Sequence, residues 1–190
     1  ADRFAELGLP ADFFAMHGVE FHGQVSFMKA GLFYADRLTT VSPTYAREIQ
    51  QPEQGCGLEG LLASRRGALS GILNGVDYRI WDPVVDPLLA APYGPADLAG
   101  KAVDKAALQQ AVGLAQRPDA LLFGVVSRLT AQKGLDLVLG ALAEIVGEGG
   151  QLVLLGTGES GLEEALVAFA EARPAEVAVR IGYDEAFAHR

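Results

Sequence analysis

The feature that most restricts what this chain can fold into is an alternation of apolar runs and helical periods that begins at Asp119. Ala120 to Val126 is a short apolar run that reads as a buried strand. After Gly134, apolar residues recur at Leu135, Val138, Leu139, Leu142 and Ile145, the spacing of one helical face. Gly149-Gly150 breaks that helix, and Gln151 to Leu155 forms a second apolar run ending at Gly156-Thr157-Gly158. Ser160 stands three residues before Glu163 and reads as a capping box for a helix carrying Leu162, Leu166 and Phe169 on one side. Beyond Pro174, Glu176 to Ile181 makes a third strand ending at Gly182-Tyr183. The order is β-α-β-α-β, with every connection long enough for a crossover helix, so the expected fold class is α/β with a parallel, doubly wound sheet.

The first half reads as a similar mixture. Arg37 to Val41 is expected as a strand, followed by a helix with Ser42 as N-cap and Pro43 in its first position. A further strand is expected over Leu69 to Leu73, ending at Asn74-Gly75. Residues 82–100 hold four of the nine prolines and read as a connector, and Asp104 to Val112 reads as a helix that stops at Gly113. Three regions are expected: 1–76, the end of one Rossmann-like domain; 77–117, a crossover and first helices; and 118–190, the start of a second Rossmann-like domain.

Composition narrows the partners. Half the residues are hydrophobic, enough for a core, and the formal net charge of −9 gives no electrostatic reason to bind nucleic acid or an anionic membrane. No apolar run reaches the ~18 residues of a membrane span. The single cysteine, Cys56, excludes an intrachain disulfide and any cysteine-rich metal site, and it fits a reducing, cytoplasmic setting. The start at Ala1 and the stop at Arg190, in what reads as a helix, lead us to expect an internal piece of a longer protein.

An anionic ligand would need the few cations concentrated in one place. In an open parallel sheet, ligands bind beyond the carboxyl ends of the strands. The three strands of the second half end in Ser127-Arg128, Gly156-Thr157-Gly158 and Gly182-Tyr183, which places all three tips on one crevice. Arg128 and Lys133 flank the first turn into a helix. A guanidinium fork and a compact ammonium beside free helix amides make a natural diphosphate site; the alternative is a pair of solvated loop charges. Gly156 and Gly158 would let backbone approach a ligand closely, or would simply serve a tight turn. Tyr183 could stack on a base or sugar, or pack. Asn74, followed by glycine, has a turn as its default reading. His17, His22 and Glu20 surround a glycine-containing loop, and the histidines lack metal-like spacing. No Walker-type loop, metal-binding helix motif or nucleophile elbow is present in the sequence.

The run from Ser127 to Asp136, Ser-Arg-Leu-Thr-Ala-Gln-Lys-Gly-Leu-Asp, is similar to a signature of bacterial glycogen and starch synthases. Phe21-His22-Gly23-Gln24, Phe27-Met28-Lys29-Ala30-Gly31, Thr40 to Ile49, Gly57 to Leu62, Leu73 to Asp77, and Ile181-Gly182-Tyr183 resemble the same family and occur in its order over nearly the whole chain. The resemblance implies a GT-B architecture, two Rossmann-like doubly wound domains across a cleft, both incomplete in this chain. It implies transfer of glucose from ADP-glucose to the nonreducing end of an α-1,4-glucan, with retention and without a metal or other cofactor. Arg128 and Lys133 match the family's diphosphate-binding pair and Asn74 a cleft asparagine near donor sugar or acceptor. Gly156, Thr157 and Gly158 match a loop beside the nucleotide, and Gly182 and Tyr183 match the adenine end. The family's Lys-x-Gly-Gly-Leu loop and Asp-Trp-His block are absent, and its Glu-x-x-x-Gly-Leu segment would follow Arg190. The isolated chain is therefore expected to be inactive and poorly soluble.

Overall fold

The computed structural model describes residues 4–190. They form two compact units, one up to Val76 and one from Asp77 to Arg190.

The first unit opens with a small hairpin, β1 (Glu20–Phe21) and β2 (Gln24–Val25), in antiparallel register. Its two-residue turn, His22-Gly23, has positive φ at both positions (49° and 75°), the conformation that suits a tight hairpin. Ser26 then caps α1 (Phe27–Tyr34), accepting a hydrogen bond from the Lys29 amide at 3.2 Å. β3 (Leu38–Thr40) leads to α2 (Pro43–Glu48), α3 (Pro52–Gly55) and α4 (Glu59–Ser64), and β4 (Leu69–Gly71) returns parallel to β3. Ser42 caps α2 through the Tyr45 amide at 2.8 Å, with Pro43 in the first helical position as its sequence suggests. Both strands are shorter than expected. β4 has only the three residues of β3 to pair with, and Ile72 and Leu73 beyond it are exposed. Leu38, Leu58 and Leu62 form the core of this unit, packed by Phe21, Leu32, Ile49 and Leu69. The Arg65 guanidinium donates to the carbonyls of Leu32, Phe33 and Ala35, satisfying the C-terminal end of α1.

The second unit contains α5 (Gly100–Val112), β5 (Leu122–Val126), α6 (Leu135–Gly147), β6 (Gln151–Gly156), α7 (Ser160–Ala172), β7 (Val177–Ile181) and α8 (Glu185–Ala188). The three strands are parallel in the order β5-β6-β7, so the β-α-β-α-β reading holds. β6 is buried along its entire length and divides the core by its pleat. Leu152 and Leu154 pack with Leu135, Leu142 and Leu166 of α6 and α7 on one face. Val153 and Leu155 pack with Leu114, the Leu108 and Val112 of α5, and the Phe187 of α8 on the other. Helices thus cover both faces of the sheet, the three-layer arrangement of a doubly wound domain.

Three expectations need correction here. The run from Ala120 to Val126 is not a buried strand: β5 starts at Leu122 and lies at the sheet's edge, leaving Leu121 71%, Phe123 42% and Val126 62% exposed. α5 begins at Gly100 rather than Asp104, and the Asp104 carboxylate, one turn into the helix, accepts the Ala91 amide at 2.9 Å and fastens the connector. Ser160 does not cap α7: Glu159 occupies that position without a side-chain cap bond, and Glu163 turns its carboxylate to the preceding loop.

Polar side chains join the segment before β5 to the sheet. The Lys105 ammonium of α5 donates to the carbonyls of Pro118, at 2.6 Å, and Ala120. Gln109 and Gln151, almost wholly buried, bond to each other at 2.6 Å, and the Gln151 amide also donates to the carbonyls of Ala115 and Ala175. In the connector, Trp81 stacks on His189 with ring centroids 3.8 Å apart, and His189 Nδ1 lies 2.5 Å from Asp86 Oδ2. No helix among the described residues is long and apolar enough to cross a membrane.

Candidate donor-binding site

The carboxyl edge of the β5-β6-β7 sheet is where the sequence places its functional residues, and there the strands do not simply end. Parallel pairing continues past them through a bridge between Leu129 and Gly158. Three backbone bonds join the first two tips: Ser127 N–H to Leu155 O at 3.1 Å, Leu129 N–H to Thr157 O at 3.0 Å, and Glu159 N–H to Leu129 O at 2.8 Å. The third tip joins through Gly182 N–H to Gly156 O at 2.9 Å. The geometry therefore brings together Arg128, Gly156, Thr157, Gly158, Gly182 and Tyr183 on one laced edge.

Arg128 lies two residues beyond β5 and is exposed. Lys133, also exposed, ends a 3-10 turn (Ala131–Lys133) that precedes α6, so it sits one short turn ahead of the helix rather than on its first residue. Neither cation forms a side-chain hydrogen bond or ion pair among the described residues, leaving both charges free to meet an anion. Leu129, between them, is completely buried and anchors the loop that carries them. The Glu159 carboxylate accepts the Ala131 amide at 3.3 Å and ties that loop to the start of α7.

The two glycines of the second tip answer the choice left open by the sequence. A Cβ at Gly156 would lie 2.0 Å from Ser127 O, and one at Gly158 would lie 2.2 Å from Leu129 O. The space that a side chain would need is filled by the neighbouring loop, so both positions require glycine before any ligand is considered. The loop is completed by Glu163, whose Oε1 accepts both the Gly158 amide and the Thr157 hydroxyl, each at 2.7 Å. The Gly158 amide, and then the Thr157 hydroxyl, hold this carboxyl below its ordinary value, opposed by a smaller cost of desolvation. Sequence reasoning missed this role, because Ser160 with Glu163 fits the spacing of a capping box and nothing in one dimension shows which way a glutamate turns.

Tyr183 is 84% exposed. Asn74 lies in the other unit, exposed, just beyond β4. In the same motif the Arg79 guanidinium donates twice to the Asp77 carboxylate, at 2.8 and 3.1 Å, and lowers its pKa. His17, Glu20 and His22 line a hollow of about 410 Å³ in the first unit with Phe21, Lys29 and Gly57. Glu20 serves the hairpin there, accepting the Gly23 amide at 2.7 Å, and Lys29 is spent on the carbonyls of Met16 and Glu20. Among the described residues, no cluster of three or more His, Cys, Asp or Glu could hold a metal ion.

Residues 1–64 match the family model described as the starch synthase catalytic domain. The chain is 61% identical over 188 residues to a glycogen synthase from Francisella tularensis subsp. novicida (strain U112), covering 98% of the chain and 38% of that protein. It is 62% identical over 191 residues to a glycogen synthase from Variovorax paradoxus (strain S110), covering 99% of the chain and 39% of that protein. Its structure is similar to the catalytic domain of Starch Synthase IV from Arabidopsis thaliana bound to ADP and acarbose, with a TM-score of 0.88 and 33% identity, over 97% of this chain and 40% of that one. The two units are accordingly partial Rossmann-like domains of the GT-B type. Over nearly its whole length the chain is similar to glycogen and starch synthases, and it spans about 38% of the length of the curated relatives it matches.

Proposed function

We propose that the full-length protein containing this chain is a retaining glucosyltransferase that moves glucose from ADP-glucose to the nonreducing end of an α-1,4-glucan. The observation that carries this reading is the pair of unpartnered cations, Arg128 and Lys133, on the laced carboxyl edge of a parallel sheet in a chain similar to glycogen synthases. The chain's net charge is −9, so a local pair of free cations at this edge stands out against its surroundings. When the glycosidic bond to the diphosphate breaks, negative charge grows on the departing oxygens. A guanidinium fork and an ammonium held beside them stabilise that charge, which is where catalytic electrostatics has most effect.

Gly156, Thr157 and Gly158 then border the nucleotide, Gly182 and Tyr183 its base, and Asn74 the donor sugar or the acceptor. The ADP and acarbose bound in the Arabidopsis structure support this choice of ligand classes. We assign no metal or other cofactor to the reaction. We place the protein in the cytoplasm, where the one thiol of this chain, Cys56, exposed, stays reduced. The chain alone is proposed to lack synthase activity, since catalytic groups that act as a unit do not work piecemeal.

The test is glucosyl transfer by the full-length protein to a maltooligosaccharide, with ADP-, UDP- and GDP-glucose compared. Preference for ADP-glucose is expected. Preference for UDP- or GDP-glucose would replace the proposed donor, and absence of transfer from all three would end the proposal.

A further inference from the structure

The Thr157 hydroxyl has one proton, and the structure shows where it goes. Glu163 Oε1 lies 2.7 Å from Thr157 Oγ1 and 2.7 Å from the Gly158 amide nitrogen. The amide can only donate, so that oxygen is an acceptor already fixed in place. A carboxylate held ionised by these two bonds has no proton to give, and the hydroxyl must donate to it. Thr157 itself is exposed. Its oxygen therefore meets the surroundings with lone pairs only.

A phosphate oxygen is also an acceptor, and two acceptors do not bond. The loop between Gly156 and Gly158 resembles a phosphate cradle in composition, yet its one side chain is set against phosphate. A sugar or ribose hydroxyl, or an exocyclic amino group, has the donor that Thr157 needs.

We infer that Glu163 is a positioning residue that makes Thr157 an obligate hydrogen-bond acceptor, so that this loop selects a hydroxyl or amino group of the donor substrate and leaves the diphosphate to Arg128 and Lys133. The inference rests on the proposed use of a nucleotide-glucose. A purely architectural Glu163 would hold the loop without deciding which substrate group Thr157 meets, and the two roles separate experimentally.

The test uses the full-length protein, with steady-state kinetics on ADP-glucose and competitive inhibition by inorganic pyrophosphate as the phosphate-only probe. Thr157→Val removes the hydroxyl with little change of shape, and it should raise KM for ADP-glucose about 3- to 10-fold, the size of one neutral hydrogen bond. Inhibition by pyrophosphate should not change. Thr157→Ser should restore KM. Glu163→Leu, which removes the acceptor and leaves the Thr157 hydroxyl free to turn and offer its proton, should raise KM by a similar factor. The double variant should be no worse than either single one, because both act through one contact. Equal weakening of pyrophosphate and ADP-glucose by Thr157→Val would overturn the inference, as would multiplicative effects in the double variant or an unchanged KM in Glu163→Leu. No turnover of any nucleotide-glucose by the unmodified protein would remove the proposed function and this inference together.

Discussion

Replacing Gly158 by alanine separates two reasons for a glycine that the sequence alone leaves equal. If glycine is there only to admit a ligand, the free protein should not notice the new methyl. The structure gives a different expectation. The added Cβ would stand 2.2 Å from Leu129 O, 2.7 Å from Leu129 C and 2.9 Å from Leu129 N. The first of these falls about 1.2 Å short of an ordinary 3.4 Å contact, and all three atoms are backbone that cannot rotate aside. Retreat of the loop strains two bonds at once, Leu129 N–H to Thr157 O and Glu159 N–H to Leu129 O. At about 0.5–1.5 kcal/mol net each, their loss amounts to roughly 1–3 kcal/mol, which agrees with the usual cost of overpacking. Native-state hydrogen exchange at the Leu129 and Glu159 amides reads this directly as local opening, and a loss of that size accelerates exchange about 5- to 150-fold. Gly161→Ala is the control: nothing lies within 4 Å of its Cβ, and a helical alanine there should stabilise α7 by about 0.5–1 kcal/mol. Unchanged exchange in Gly158→Ala, with nucleotide binding lost, would refute the packing argument and restore ligand approach as the reason for the glycine.

Lys133→Gln in the full-length protein should lower kcat by about 10- to 150-fold with the fold intact, the loss of one charge-assisted phosphate contact of about 1.5–3 kcal/mol; unchanged kinetics would remove Lys133 from the mechanism. Gln151→Leu should destabilise the second unit by about 2–4 kcal/mol in urea unfolding, because Gln109 and the carbonyls of Ala115 and Ala175 would lose their buried partner; a neutral effect would mean that water replaces the amide. Asp86 has its pKa lowered, first by the His189 hydrogen bond and then by the Leu88 amide. Its contribution is thus complete above the ordinary carboxyl value of 3.8 and disappears as pH falls through the lowered one. Trp81, the only tryptophan, stacks on His189, so its fluorescence should change in that acid window and not in Asp86→Asn; the same acid change in both proteins would disconnect the pair from the transition.

Much of the second unit was legible because it is written in local periodicity. Gln151 to Gly156 is an unbroken apolar run apart from its ends, and it became the central strand. Ala120 to Val126 has a similar composition, yet β5 is at the edge, since strand order is a property of the whole sheet and leaves no mark on the period of one strand. Ser42-Pro43 was readable as a helix start because capping involves residues three apart in the chain. The Ser160–Glu163 pair had the right spacing and the wrong partners: Glu163 found a hydroxyl and an amide in the loop before it. The candidate site was legible as a set of strand tips with two cations. Its lacing was not, because the Leu129–Gly158 bridge joins residues that are close only after the sheet has formed.

The grip of Lys105 on the carbonyls of Pro118 and Ala120 bears on how this protein can be cut. A gene segment opened at Pro118, just before the first strand of the sheet, would discard the ammonium that holds the entry to β5. It would also leave Gln151 without Gln109 and the Ala115 carbonyl, and uncover Val153 and Leu155 by removing Leu114. Moving the cut to Gly100 would restore those contacts but separate His189 from Trp81 and Asp86. The cassette that keeps every one of these attachments begins at Asp77, some forty residues ahead of the first strand it is meant to carry.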